Sequence, residues 1–343
     1  MDKNTTYIVT GCTGYVGNVL TKKLILEGCR VVGLARSEQK ARRVFGDNPP
    51  ELVFGDVTEP QTLKRLFVGQ GPFTVIHTVA KVSIGEASKK ELYGVALGGT
   101  RAVVEQCLLH DAKLFHVSST EALGGVFDED VNYVPDPERC HTEYARSKAA
   151  ADKIVLDAVR ERGLRASILM FASVLGPGDY SNSHMSQMLT LFLNGRLPAS
   201  VKGGYNDFDI RDVADVLPAI LDNAQAGESY IFANRPDQIN DVLGIAAAMT
   251  GQRVPPTLPV GIAKLGAPFF VLAAKLTKTR PLYTGAALAS LTARADFPIE
   301  KTKRAFGYCP RPLEETVRDH VDFLLTQCDG RKRKTKNDKT TTY

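Results

Sequence analysis

The 343-residue chain lacks the marks of several large protein classes. Its six cysteines (Cys12, Cys29, Cys107, Cys140, Cys309 and Cys328) are scattered, with no Cys-x-x-Cys pair and no His–Cys ligand spacing. A zinc site and a disulfide scaffold are therefore not expected. Long apolar runs are missing too. The most apolar stretch, Leu265–Ala274, lies between Lys264 and Lys275, contains Pro268, and is half the length of the ~20 residues a spanning helix needs. Met1-Asp-Lys-Asn-Thr-Thr6 runs straight into a strand pattern without a signal-peptide profile, so a cytoplasmic protein is expected. Charge of one sign is scarce outside the C-terminus. The net charge is +5, and the segment from Cys328 onward holds six basic and two acidic residues, which leaves +1 for the rest. A nucleic-acid partner is not expected from such a body.

What is present is a regular alternation. Tyr7–Thr10, Arg30–Leu34, Glu51–Phe54, Phe73–His77, Lys113–Val117 and Arg165–Met170 are short apolar, β-branched runs. Between most of them lie amphipathic segments at Val16–Glu27, Gln61–Phe67, Gly98–His110 and Tyr144–Arg162. Apolar strands separated by helices predict an α/β fold with a doubly wound parallel sheet covered on both faces. After about residue 176, Pro and Gly become frequent and the rhythm changes. The spans expected are a nucleotide-binding domain over 1–176, a smaller C-terminal substrate lobe over 177–327, and a disordered basic tail over 328–343. Strands such as Ser229–Phe232 are expected between helical pieces of the lobe, and part of the sheet is allowed to be completed from it.

The turn Thr10-Gly-Cys-Thr-Gly-Tyr-Val-Gly17 joins the first strand to the first helix. Gly11 permits the tight turn, Gly14 lets the backbone approach a pyrophosphate, and Gly17 lets the helix pack on the sheet. The helix start then offers unpaired N–H groups to phosphate. A site for NAD usually carries an acidic residue at the end of the second strand. Arg36 stands there instead, followed by Ser37 and Lys40, and a guanidinium can hold a 2′-phosphate, which predicts NADP with NAD as the alternative. Asp56, before Val57, is read either as a partner for the adenine amino group or as a helix cap.

Tyr144 and Lys148 stand four apart in a helical stretch, on one face. A neighbouring ammonium favours the phenolate form of a tyrosine, and the protonated phenol can give its proton to a carbonyl that receives a hydride. The strand end His116-Val-Ser-Ser-Thr-Glu121 offers a hydroxyl to hold the substrate oxygen, and the spacing leaves Ser119 and Thr120 both open.

Together, Thr10–Gly17, Asp56-Val57, His77-Thr-Val-Ala80, Ser118-Ser-Thr120 and Tyr144-x-x-x-Lys148 resemble the extended short-chain dehydrogenase/reductase superfamily. Ser173–Gly178, Asp207–Ala214 and Lys303–Pro310 agree with it, and the likeness covers roughly residues 5–325. The resemblance implies a seven-stranded Rossmann sheet, a Ser/Thr–Tyr–Lys triad and dimers formed through helices that include the one bearing Tyr144. It also implies a cofactor site with Thr13, Tyr15 and Val16 in the turn, and Val79, Ala80, Lys81, Phe171 and Val174 along the channel. Lys148 would hold the nicotinamide ribose and lower the tyrosine pKa. Met170-Phe171 replaces the Arg-Pro often found there, and Lys81 replaces a small residue.

Within the superfamily, nucleotide-sugar epimerases and dehydratases need basic groups in the lobe to hold a diphosphate. Tyr205-Asn206 stands where they commonly place an arginine, and Arg211 and Arg294 lie elsewhere. The lobe is apolar at Val260–Ala263, Leu265–Ala274 and Leu282-Tyr283. The expected enzyme is an NADP(H)-dependent reductase of a ketone or aldehyde on a hydrophobic molecule, steroid-like or flavonol-like. The alternative is a nucleotide-sugar epimerase or dehydratase with tightly bound NAD. A weak attraction of the basic tail to anionic membrane surfaces is a further expectation.

Overall fold

The computed structural model describes residues 1–69, 71–81, 88–125, 133–267, 281–291 and 296–338, with backbone only at 286, 290 and 328–338. Seven strands form one sheet: β1 (Thr6–Thr10), β2 (Arg30–Ala35), β3 (Glu51–Phe54), β4 (Phe73–His77), β5 (Lys113–Ser119), β6 (Ala166–Phe171) and, from much later in the chain, Ser229–Phe232. Three short strands precede that last one, β7 (Ser173–Leu175), β8 (Ser200–Val201) and β9 (Asp207–Asp209), so it is β10; Thr257–Leu258 is β11. The sheet order is β10-β6-β5-β4-β1-β2-β3 and every pairing is parallel. The chain winds outward in both directions from β1 and β4, which pair with Thr10 opposite His77. A crevice opens beyond the carboxyl ends of these two strands, where parallel sheets bind ligands.

Both faces of the sheet are covered because β1 is buried on both sides. Val9 and Tyr7 point into the core shared with α1 (Tyr15–Leu26), while Ile8 points into the opposite core. The first helices after it are α2 (Glu38–Phe45), α3 (Pro60–Lys64), α4 (Lys89–Tyr93), α5 (Thr100–Leu109) and α6 (Glu143–Arg162). α5 packs on α3 and α6 over the Ile8 face. Then come α7 (His184–Leu193), α8 (Ile210–Asp215), α9 (Leu217–Asn223), α10 (Ile239–Thr250), α11 (Gly285–Ser290), α12 (Glu300–Phe306) and α13 (Leu313–Asp338). α8 returns to pack on α1, and β10 completes the sheet beside β6, so residues 210–233 belong spatially to the nucleotide-binding part despite lying beyond 176. The lobe has its own core, in which Met188 and Leu189 of α7, Val242 and Leu243 of α10, and Val317 and Val321 of α13 meet.

Two expectations change. The last helix runs on to Asp338 rather than giving way to a disordered tail at Cys328. Arg and Lys are good helix formers and no proline interrupts the segment. Helix α2, which was not anticipated, starts at Glu38 behind the Ser37 cap, two residues after Arg36. The stretch Leu265–Ala274 lies outside the described residues from 268 on, as does the tail beyond Asp338. Among the described residues, no helix is long and apolar enough to cross a membrane.

Candidate active site

The Gly-rich turn is built by contact, not composition alone. Gly11 has φ +76°, in the left-handed region. A Cβ on Gly17 would stand 2.2 Å from the Gly11 carbonyl oxygen, so α1 can begin this close to the turn only without a side chain there. Gly14 is the residue that starts α1; no side chain caps this helix end, and its first turn has no acidic residue. The first-turn N–H groups therefore face the crevice at the positive end of the helix dipole, a fit for a pyrophosphate. Tyr15 donates its hydroxyl to the Gly176 carbonyl. The buried Asn18, which the sequence reading missed, donates to Gly14 O (2.6 Å) and Gly178 O (3.0 Å), tying the turn to the segment after β7. Thr13 is buried beside the turn and Val16 is half-buried against the core.

Arg36 lies exposed at the end of β2. The Ser37 hydroxyl caps α2 by accepting the Lys40 N–H (3.2 Å), and Lys40 Nζ reaches Ser181 Oγ (3.0 Å). Burial, opposed by Asp179, pushes the Lys40 pKa down, and the charges of Arg36 and Arg43 add to this. Asp56 is not a helix cap. Its Oδ1 accepts from Thr58 N (2.9 Å) and Oγ1 (2.7 Å) in a turn, and Glu59 starts α3. Against burial, these hydrogen bonds and the Arg36 charge hold its pKa low. Val57 is buried against Gly99. Lys81 is paired with Glu91 of α4 (2.8 Å), which accounts for a residue the sequence alone left unexplained.

The strand ends and α6 bring the chemistry together. Thr142 starts α6, accepting the Ala145 N–H (3.0 Å). Tyr144, Lys148 and Asp152 then follow at four-residue steps along one face. Lys148 is 5% exposed and donates to Val117 O (2.9 Å); burial lowers its pKa to about 8, with Asp152 opposing. Burial, together with the Glu121 carboxylate, pushes the Tyr144 phenol up, and a hydrogen bond with Ser119 pulls the other way. The phenol is thus raised in this structure, because desolvation outweighs the Ser119 contact.

Ser119, not Thr120, meets the phenol. Its Oγ also accepts the Glu121 N–H (3.2 Å), capping the 3₁₀ turn Thr120–Leu123 in which Thr120 is buried. Val79, Ala80 and Lys81 close a small cavity against His116, Tyr144 and Lys148. Phe171 is not at this cavity but 3% exposed in the core, edge-on to Phe208 (5.5 Å) and Phe232 (5.4 Å). Val174 lies on β7, paired with Phe208 of β9.

A model of the NAD dependent epimerase/dehydratase family matches residues 7–233, spanning the sheet, the turn and the Tyr144–Lys148 pair. The chain belongs to this family. Relatives of the extended short-chain dehydrogenase type include sterol demethylase protein B of Methylococcus capsulatus. It is 29% identical over 274 residues, covering 77% of this chain and 81% of its own. The decarboxylating sterol-4-alpha-carboxylate 3-dehydrogenase of Schizosaccharomyces pombe is 25% identical, covering 92% and 96%. Among solved structures, the epimerase/dehydratase fold is shared with the UDP-glucose 4-epimerase of Thermus thermophilus in complex with NAD. The TM-score is 0.72 at 20% identity, over 93% of this chain and 98% of that one. As a member of the NAD dependent epimerase/dehydratase family, the protein is an NAD(P)-dependent oxidoreductase acting on CH–OH groups.

Proposed function

We propose that the protein is an NADP(H)-dependent reductase that interconverts a ketone or aldehyde and an alcohol on a hydrophobic small molecule of steroid-like or flavonol-like class. The observation that carries the reading is that Ser119 hydrogen-bonds the Tyr144 phenol at the end of β5 while Lys148, one turn along α6, lines the same small cavity as Tyr144. Bound NADPH supplies the hydride. In reduction the Ser119 hydroxyl orients the substrate oxygen, and Tyr144 Oη gives that oxygen its proton as the carbon accepts the hydride. The buried Lys148 ammonium then faces the phenolate that remains and stabilises it.

Preference for NADP is supported by Arg36 at the end of β2, with Lys40 behind it and no acidic residue in place. The substrate class is supported by the two sterol-named relatives, which cover most of the chain. Arg211, a residue that could have held a sugar diphosphate, is already engaged: it bonds Asp209 Oδ2 and Asp319 Oδ2, both at 2.6 Å. Arg294 lies outside the described residues. A homodimer through helices that include α6, a cytoplasmic location and weak membrane attraction of the basic C-terminus belong to the same proposal.

The test is turnover on a panel of hydrophobic ketones with NADPH and with NADH, alongside UDP- and dTDP-sugars. Ketone reduction with NADPH preferred is expected. Turnover of the sugars alone would replace this reading with an epimerase or dehydratase.

A further inference from the structure

A layer of polar side chains lies behind Lys148, where the strands would otherwise be apolar. Asp152, fully buried on α6 one turn beyond Lys148, accepts Ser118 Oγ (2.7 Å) and the Tyr133 hydroxyl (3.0 Å) on Oδ2. Its Oδ1 lies 3.3 Å from His116 Nε2, close enough for the carboxylate to act on the imidazole. His116 in turn faces His77 of β4, with ring centroids 5.3 Å apart. His77 Nδ1 is 2.7 Å from Thr10 Oγ1, and its Nε2 is 3.4 Å from Thr100 Oγ1.

Lys148 has a buried ammonium whose hydrogen bond is to a neutral carbonyl, and among the described residues it forms no salt bridge. Such a charge is costly to hold without an opposite one. The other groups facing this layer are neutral at neutral pH. Burial, with the charges of His116 and Lys148 adding to it, holds His77 far below its usual value. Burial lowers His116 as well, opposed by Asp152, and burial raises the Cys140 thiol, with Asp136 and Asp152 adding. Burial likewise raises the Tyr133 phenol, and Asp152 adds to this. The Glu121 carboxylate acts on the Tyr144 phenol. Asp152 is thus the countercharge built into the fold for Lys148.

We infer that Asp152, held by Ser118, Tyr133 and His116, is a positioning residue that keeps Lys148 charged and so sets the pH range in which Tyr144 can give up its proton. In reduction the Tyr144 O–H bond breaks and a substrate O–H bond forms. The phenolate left behind is stabilised while Lys148 stays protonated, and it later recovers a proton from solvent. Without the carboxylate, Lys148 loses its proton at lower pH, and that stabilisation goes with it.

The test rests on the proposed function for its kinetic arm only. In cofactor-free protein carrying ¹³Cε-lysine, with Lys148→Met to assign the resonance, the Lys148 midpoint is expected near its value of about 8. In Asp152→Asn the midpoint should fall by about one unit, and the alkaline limb of the reduction profile should move to lower pH with it, while KM for the ketone stays near the parent's. Asp152→Ser serves as a second removal should Asp152→Asn not fold, and Asp152→Glu should bring midpoint and limb back toward the parent. Ser118→Ala and Tyr133→Phe each delete one hydrogen bond to Asp152 but keep the charge, so they should lower Tm without moving either.

An unchanged Lys148 midpoint in the folded removal variant would overturn the inference. So would shifts as large in Ser118→Ala or Tyr133→Phe. A shifted midpoint in a protein that reduces no ketone would refute the proposed function and leave the role of Asp152 standing.

Discussion

Tyr144 sits where α6 begins, with Ser119 from β5 against its hydroxyl and Lys148 one turn below. Replacing it with Phe removes the proton donor but keeps the ring, so kcat should drop by about 100-fold or more with KM little changed and Tm preserved. Steady-state kinetics beside a melting curve would check this, and a parental kcat would rule out the proposed role. Arg36 makes a different prediction. Arg36→Ala should weaken NADPH about 10–100-fold and leave NADH nearly untouched, as expected for the loss of charge-assisted bonds to one phosphate. Equal losses for both cofactors, measured by fluorescence titration, would remove Arg36 from the 2′-phosphate site.

In the lobe, Asp207 and Asp237 are both buried, with Asp207 N–H donating to Asp237 Oδ2 (3.1 Å). Burial, and after it the Asp207 carboxylate, pushes Asp237 well above the usual carboxylate range. A raised folded-state value means the folded protein holds the proton more tightly. The contribution is complete below the unfolded-state value of about 4 and is lost as pH rises through the raised value. Tm should therefore decline from mild acid towards alkaline pH. Asp237→Asn, an isosteric stand-in for the protonated acid, should flatten that decline and gain Tm at its alkaline end. A parallel, unshifted curve for the variant would show that the pair does not share a proton.

At the level of elements, the strands of the main sheet were legible because they are buried on both faces and so read as unbroken apolar runs, as in Tyr7–Thr10 and Ala166–Phe171. The turn and the Tyr144–Lys148 helix were legible because their spacing is fixed by contact. Strands β7, β8, β9 and β11 were not, since two or three residues carry no period. Helix α2 was hidden by its charge: Glu38, Gln39, Lys40, Arg42 and Arg43 conceal the inward stripe of Ala41, Val44 and Phe45. Asn18, His116 and Asp152 were not singled out from the sequence. The one signal available was a polar residue on an otherwise buried face, which a sequence does not distinguish from an ordinary buried hydrogen bond. Gly17→Ala tests the turn proposed to hold the cofactor. The added methyl would meet the Gly11 carbonyl, so α1 must draw back, at a cost of about 1–3 kcal/mol and with weaker binding of both cofactors. A Gly17→Ala protein with parental Tm and affinity would contradict the close-approach role.

Across the whole molecule, the crevice between β1 and β4 receives contributions from sequence positions far apart. The Gly-rich turn comes from the first strand, Ser119 from the fifth, Tyr144 from α6, and the segment after β7 closes on α1 through Gly176 and Gly178. The change of rhythm after 176 was readable, as was a sheet completed in part from the lobe, but the packing of α8 on α1 was not, because only tertiary packing decides which core a short element joins. The extension of α13 to Asp338 puts the basic C-terminal residues on a helix. If they attract anionic membranes, deleting 329–343 should abolish co-sedimentation with phosphatidylserine vesicles at low salt. Equal binding by the full-length and shortened proteins would discard that idea.

The most direct measurement is the initial rate of NADPH oxidation with a steroid-like ketone series, run in parallel on the parent, Tyr144→Phe and Ser119→Ala. Saturable reduction by the parent is expected, lost in Tyr144→Phe and strongly reduced in Ser119→Ala, with cofactor affinity kept in both. Reduction that survives in Tyr144→Phe, or activity confined to nucleotide sugars, would contradict a Ser119–Tyr144–Lys148 reductase.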